Sequence, residues 1–456
     1  MHVALILILQ LNAVNSEACS TFKLQYDGQL VYCHNLNEAD IGVPGLIFIN
    51  KRGVYKNGRT WSELATSDRI NPSSHKWISR YGSVTFNCFG RDFPDGGMNE
   101  AGLYIWEMND DPVYPKNENL PKLNQSNWMQ YILDNFSTTD EAIQCAYDIE
   151  IEGWGWQFFI GDASGKTAAV NFMDGKVVVH AGDDMPIPGL FNTPYERELE
   201  FLKYYEGFGG LYPIDLNDPE VTRFAKTARM LRDYKSSGDI VSDGFYMLDK
   251  IKVYDEPEWS VTMDVVNRTV YFKTRLNPKV KSFSMAKLDF SNQSPVLIQD
   301  MDIAEGGDVL SGFSAYSNDK MKDFIDNHLS KALPESFFTE GGLTKEQWVE
   351  RFSTHTDDVL QGKNHFFVGV WKDKTKEVML TLSALQGSIK GQITNYTDTY
   401  ELDHISMIGN HFKCTFKTKG KQLIEVQGDI NGEEMDFGFR DARYPMNKRV
   451  LYKSLD

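Results

Sequence analysis

The sequence is poor in the groups on which most metal and cofactor chemistry depends. Its nine histidines include no HExxH pair, and its five cysteines (Cys19, Cys33, Cys88, Cys145 and Cys414) stand at no spacing that would hold zinc. No GxGxxG follows a strand-like run, and neither a P-loop nor a GxSxG elbow occurs. No cofactor and no metal is therefore expected. Positive charge is scarce as well. Forty-seven Lys and Arg face 64 Asp and Glu, a net charge of −17, which argues against nucleic acid or an anionic membrane as partner. After residue 18 no apolar run is long enough to cross a bilayer, so no membrane span is expected. Cysteine is too sparse for a disulfide-dense scaffold, and an odd count leaves at least one thiol over if the others pair. The carboxylate clusters GEEMD and THTDD read as solvated loop charge.

What is present is enough apolar material for a large core: 41% hydrophobic and 13% aromatic residues, in a chain of two or three domains' length. The first 18 residues differ from the rest. HVALILILQLNAV is nearly all apolar, too short to span a bilayer, and followed by small Ser16 and Ala18. That is the pattern of a secretory signal cut after Ala18, although no Lys or Arg precedes the apolar core. A buried N-terminal strand and a lipidated Cys19 are the alternatives; the branched residue that lipidation favours three positions before the cysteine is Ser16 here. Cleavage would make Cys19 the first residue of a secreted or periplasmic protein. Cys33, Cys88, Cys145 and Cys414 are most simply buried small hydrophobes.

From Cys19 to about residue 110 the chain reads as strands and turns. STFKLQY and QLVYCHNL flank the hairpin dipeptide DG. NWMQYILDNFS and TTDEAIQCAYDI read as helices, the second with Ser137 or Thr138 as cap and Glu141 placed for a capping box. WQFFIGDASGKTAAVNFMDGKVVVHAG reads as three strands, YERELEFLKYYEGF and VTRFAKTARMLRDY as helices, and WSVTMDVVNRTVYFKTRLN as a hairpin. Blocks of strands alternating with helix pairs predict packed α and β layers. Beyond residue 294 two amphipathic helices precede a run of short strands from residue 364, predicted to form an antiparallel partial barrel or sandwich.

An N-terminal cysteine carries both a thiol and an α-amine, whose ordinary pKa of roughly 7.7–8.0 suits proton transfer near neutrality. Such a residue could attack an amide or ester carbonyl, pass through an acyl-cysteine and be released by water, given donors for the oxyanion.

Six motifs, in order, give this reading a family. CSTFKL, CHNLNE, GGMNEAGL, WMQYILDNFSTTDEA, GLFNTPYE and VTRFAKTAR resemble the ordered motifs of the choloylglycine hydrolase and penicillin V acylase family of N-terminal-nucleophile hydrolases, over roughly residues 19–293. The resemblance implies an α+β fold, a four-layer αββα sandwich, followed by a smaller C-terminal antiparallel β domain. The expected boundaries are 1–18 for the signal, 19–293 for the hydrolase domain, 294–355 for a helical linker region and 356–456 for the β-meander. It also implies hydrolysis of a linear amide C–N bond in a small N-acylated molecule such as a conjugated bile acid or penicillin V. Cys19 would be nucleophile and, through its amine, base. Asn192 and Asn109 would serve the oxyanion, and Arg223 would organise the site. Taken without the family, Asn109 and Asn192 read as turn or strand-end amides and Arg223 as a surface helix charge. Asn99 of the GGMNEAGL turn is expected to shape that turn.

Two positions depart from the family pattern. His34 stands where the family has Arg, and Asn37 where it has Asp. Asn37 can accept a hydrogen bond from the amine or thiol but offers no charge, and a histidine can be neutral at pH 7. His34 is expected to touch substrate. The site is either retuned for another amide or reduced to an exported small-molecule-binding protein. The C-terminal strands could cover the site, bind a ligand or mediate a homo-oligomer.

Overall fold

In the computed structural model, residues 19–37, 44–66, 75–110, 112–153, 155–253, 258–332, 343–354, 367–385, 388–408, 411–441 and 444–454 are described. The leader, with Ser16 and Ala18, lies outside them.

The first two strands, Ser20–Tyr26 and Gln29–Leu36, form the expected hairpin. Asp27 and Gly28 both take positive φ, 46° and 78°, as a two-residue turn matched to strand twist requires. The turn sets the register, Ser20 opposite Asn35 and Thr21 opposite His34. The hairpin lies inside a seven-stranded sheet that continues through Trp259–Asp264, Thr269–Thr274, Lys281–Ser284 and Gly307–Asp308, with Gly189–Leu190 on its other edge. A nine-stranded sheet runs from Lys176–Ala181 through Thr167–Met173, Trp156–Gly161, Tyr104–Asn109, Gly96–Asn99, Ser83–Asn87 and Leu46–Asn50 to Leu297–Asp300 and Ser314–Ala315.

Aromatic contacts join the two sheets. Tyr32 stacks on Tyr104 at 4.8 Å, His34 on Trp106 at 4.1 Å, and Phe86 meets Phe272 edge-on at 6.0 Å. Gly96 has no room for a Cβ because the Trp106 indole lies against it. Helices Gln125–Asn135 and Thr139–Asp148 contact the nine-stranded sheet, and Arg223–Arg232 and Ile240–Lys250 contact the seven-stranded one. Thr138 caps the second of these helices in a full capping box with Glu141, as its sequence predicts. Asn99 shapes its turn as expected, accepting from the amides of Ala101 and Leu103.

The structure departs from the sequence reading in four places. Helix Tyr195–Leu202 stops well short of the predicted span, since the following segment holds Gly207, Gly209 and Gly210 and folds back on itself through a bond from Glu206 N to Tyr212 O. Helix Ile240–Lys250, capped by Asp239, was not anticipated. Residues 294–355, expected to be a helical linker, supply strands to both sheets, and Ile298, Met321 and Trp348 are buried in the same core as Cys19. The C-terminal strands form a closed eight-stranded barrel rather than a partial one: Ser388–Asn395 pairs with Asp398–Ile408 to complete the ring that runs through Val378–Leu385, Gly369–Lys372, Tyr444–Lys453, Glu434–Asp441, Leu423–Asn431 and His411–Lys417.

The barrel does not stand apart. Strands Tyr55–Asn57 and Lys76–Ile78 extend its sheet, with Ile78 opposite Met407. An ion cluster anchors these strands to the two-sheet body. Lys56 Nζ lies 2.7 Å from Asp92 and 2.9 Å from Asp134, all three being almost fully buried. Trp77 Nε1 and Gln130 Nε2 donate to the two Asp134 oxygens at 2.7 and 2.9 Å. Removing one member of such a cluster strands the others without countercharge. Lys56→Met should therefore lower stability by about 3–5 kcal/mol, measured by urea unfolding of the full chain, whereas exposed Lys176→Met should leave it unchanged.

Candidate active site

The first strand starts at Ser20, and Cys19 precedes it with 3% exposure. Its carbonyl is held by a residue more than 200 positions away. Arg223 Nη1 donates to Cys19 O and to Ser20 Oγ, each at 2.7 Å. The other guanidinium nitrogen, Nη2, donates to Asn192 Oδ1 at 3.0 Å. Asn192 Nδ2 in turn donates to Asn109 O at 2.7 Å. One hydrogen-bond chain thus unites Cys19, Arg223, Asn192 and Asn109, four of the six residues singled out from sequence.

Each position follows from local structure. Gly189–Leu190 pairs with the first strand, Thr21 opposite Leu190, so Asn192 emerges beside Cys19. Gln157 Nε2 fixes this turn by donating to Phe191 O at 2.7 Å. Asn109 ends the strand Tyr104–Asn109. Arg223 is the first residue of its helix, whose cap is the Thr222 side chain accepting from Ala225 N. A cation there opposes the helix dipole. Its three polar acceptors and the Phe191 ring, 5.4 Å from its guanidinium carbon, offset that cost. A local rule is broken where a distant partner needs the charge.

His34 lies one strand over and is fully buried. By register it faces the same side as Thr21, hence as Cys19, at the diagonal cross-strand position, where neighbours stand roughly 7–8 Å apart. It stacks on Trp106 and neither ring nitrogen makes a hydrogen bond. Burial drives its pKa well below the ordinary histidine value, so the ring is neutral where an arginine would be charged. Asn37 follows the last residue of the same strand and is 1% exposed.

Two neighbours of the chain carry no sequence signal. Ser20 joins it through Arg223. Glu198, on helix Tyr195–Leu202, is 7% exposed. Burial raises its pKa to about 7, against the pull of the Arg223 charge and with a push from Asp110. None of the five cysteines is disulfide-bonded. Burial holds the Cys33 thiol at about 12 and those of Cys145 and Cys414 well above their ordinary value, so these three stay protonated near neutrality. Among the described residues no group of three or more His, Cys, Asp or Glu could hold a metal ion, and no helix is long and apolar enough to cross a membrane.

No protein-family model matches the chain. A penicillin V acylase from Pectobacterium atrosepticum is 24% identical over 277 residues, 50% of this chain and 73% of that protein. The solved penicillin V acylase from Agrobacterium tumefaciens superposes with a TM-score of 0.57 at 22% identity, covering 66% of this chain and 98% of the other. A conjugated bile acid hydrolase from Clostridium perfringens gives a TM-score of 0.49 at 18% identity, covering 63% and 98%.

Because a bond to a charged donor in a buried setting contributes about 1.5–3 kcal/mol, Ser20→Ala should cost that much in urea unfolding, and Ser20→Thr should recover part of it. The resemblance read from six ordered motifs is borne out by a relative aligned over half the chain: the sequence is similar to the choloylglycine hydrolase and penicillin V acylase family.

Proposed function

We propose that the protein is a cysteine N-terminal-nucleophile hydrolase of linear amide C–N bonds, acting on a small N-acylated molecule. The observation that carries this reading is the hydrogen-bond chain from Arg223 to Cys19, Asn192 and Asn109, three residues with distinct catalytic uses gathered from separate elements. The two penicillin V acylases support the reaction class, and their name supports a substrate of the penicillin V kind.

In this reading the leader is removed after Ala18 during export, and the mature secreted or periplasmic chain begins with Cys19. The α-amine takes the thiol proton, and sulfur attacks the substrate carbonyl carbon. The negative charge that develops on oxygen is met by the second Nδ2 hydrogen of Asn192, since an amide NH₂ carries two donors and Asn109 O uses one. Asn109 offers its own side-chain amide to the same oxygen. The C–N bond then breaks and the leaving nitrogen takes the proton held by the α-amine. Water attacks the acyl-cysteine, releasing the carboxylic acid and restoring the thiol. Arg223 keeps the Cys19 carbonyl fixed throughout. Asn37 accepts from the amine, and His34, a neutral ring on an aromatic wall, favours an uncharged acyl group over an anionic one.

The two sheets, which include the strands Leu297–Asp300, Gly307–Asp308 and Ser314–Ala315, and the helices that contact each of them support an αββα layering that extends past the expected boundary at residue 293, with the barrel strands Gly369–Lys372 to Tyr444–Lys453 joined to it. Self-association into a homo-oligomer belongs to the same proposal.

The test is N-terminal sequencing of the exported protein followed by an amide panel. Cys19→Ala should abolish turnover of phenoxyacetyl- and fatty-acyl amides while leaving the fold intact by circular dichroism. Asn192→Ala should lower kcat by about 10²–10³. Equal hydrolysis by wild type and Cys19→Ala would remove the nucleophile assignment. Correct trimming with no turnover on any amide would favour a binding protein with a degenerate site.

A further inference from the structure

A cleft of about 370 Å³ opens beside the first strand, and none of Cys19, Asn109, Asn192 or Arg223 lines it. That volume falls within the usual span of small-molecule sites, roughly 300–1,000 Å³. Three elements enclose it: the middle of the strand Ser20–Tyr26, the segment 186–188 that leads into Gly189–Leu190, and the last turns of helix Arg223–Arg232. Pro186, Ile187, Pro188, Leu231 and the rings of Phe208 and Tyr234 make its walls apolar. The Tyr234 hydroxyl is engaged by Asp243 at 2.7 Å.

The charged part of the lining has one sign. Lys23 and Arg232 contribute to it and no carboxylate does, in a chain of net charge −17. Arg232 is paired with Asp233 at 2.8 and 3.1 Å and lies over the Phe208 ring. Lys23 has no ion-pair partner among the described residues. Its Nζ donates to Gly165 O at 2.8 Å, one bond of the three an ammonium can make. Asp162 acts on it only through space, since the oxygens of that carboxylate accept from Thr139 N and from the amide and hydroxyl of Ser164. Burial lowers the Lys23 pKa, so an ammonium here gains from an anion brought to it.

The main chain adds a donor. Lys23 N donates to Pro188 O at 2.8 Å, on the side away from the hairpin partner. Ladder bonds alternate along a strand, so Gln25 turns its N–H the same way. Gly189–Leu190 pairs with Thr21 and Phe22 and reaches no further, which leaves the Gln25 N–H at the rim with no strand to meet it.

We propose that this cleft is a binding site for a small amphipathic carboxylate, with its apolar body against the wall of Pro186, Pro188 and Leu231 and its charge met by Lys23, beside the Gln25 N–H. Binding there requires neither a trimmed leader nor a reactive thiol.

The experiment is isothermal titration calorimetry of the full chain with octanoate, and with 1-octanol and octylammonium as neutral and cationic probes of the same tail. Octanoate should bind roughly tenfold more tightly than either. Lys23→Gln should remove that preference. Gln25→Glu, at an exposed position, puts a carboxylate at the rim and should weaken octanoate while leaving octylammonium no weaker. In wild type, octanoate should slow acetylation of Lys23 by acetic anhydride, read by peptide mass. No octanoate binding would overturn the proposal, as would equal affinity for the three probes. Octanoate affinity unchanged in both variants, with Lys23 unprotected, would place the ligand elsewhere and overturn it too. Should Lys23→Gln not fold, Gln25→Glu and the protection of Lys23 decide the question.

Discussion

The grip of one guanidinium on the start of the first strand is the constraint around which this molecule is arranged. Arg223 reaches Cys19 O, Ser20 Oγ and Asn192 Oδ1 at once, which requires a helix start, a strand start and a turn to converge within hydrogen-bonding distance. The planar fork of an arginine can serve such a set, and the single point charge of a lysine cannot. The neighbouring turn is pinned to the opposite sheet by Gln157, so the seven- and nine-stranded sheets share the site between them. The aromatic layer from Tyr32–Tyr104 to His34–Trp106 sets how far apart those sheets stand.

That layer also bears on charge. With its ring against Trp106 and no hydrogen bond on either nitrogen, His34 stays neutral. The site then has Arg223 as its cation and Glu198 as a carboxyl poised near neutrality. This is a different electrostatic setting from one that holds a second arginine on the adjacent strand.

Much of this was legible in the sequence because the informative features are local. The DG hairpin, the Thr138–Glu141 capping box and the Asn99 turn depend on a few adjacent residues, and the order of motifs located Cys19, Asn109, Asn192 and Arg223. What escaped depends on distant partners. Nothing near Glu198 in YERELE marks it as buried, since its burial depends on how its helix packs in the fold, where it contacts a helix some twenty residues later. Helix Ile240–Lys250 was hidden by Gly244 in its interior, a residue that lowers helix propensity but lets the helix lie close to Cys33. The strands at Leu297–Asp300 and Ser314–Ala315 are too short to show an alternating pattern, and the ring of the barrel needs the first strand, Gly369–Lys372, to pair with the last, Tyr444–Lys453, far along the chain.

The strand Asp398–Ile408 divides its hydrogen bonds. Its first part closes the barrel against Ser388–Asn395, and its last part takes Trp77 and Ile78 from the other end of the chain. The β-cylinder is thus sewn to the body by backbone ladders, beyond the covalent thread that joins them. Cutting the chain before residue 367 would bare an edge of main-chain donors and acceptors at Lys76–Ile78, the kind of surface on which strands from other molecules add. The two parts are therefore better understood as one folding unit, whose seam an evolving lineage could lose only by rebuilding both sides together.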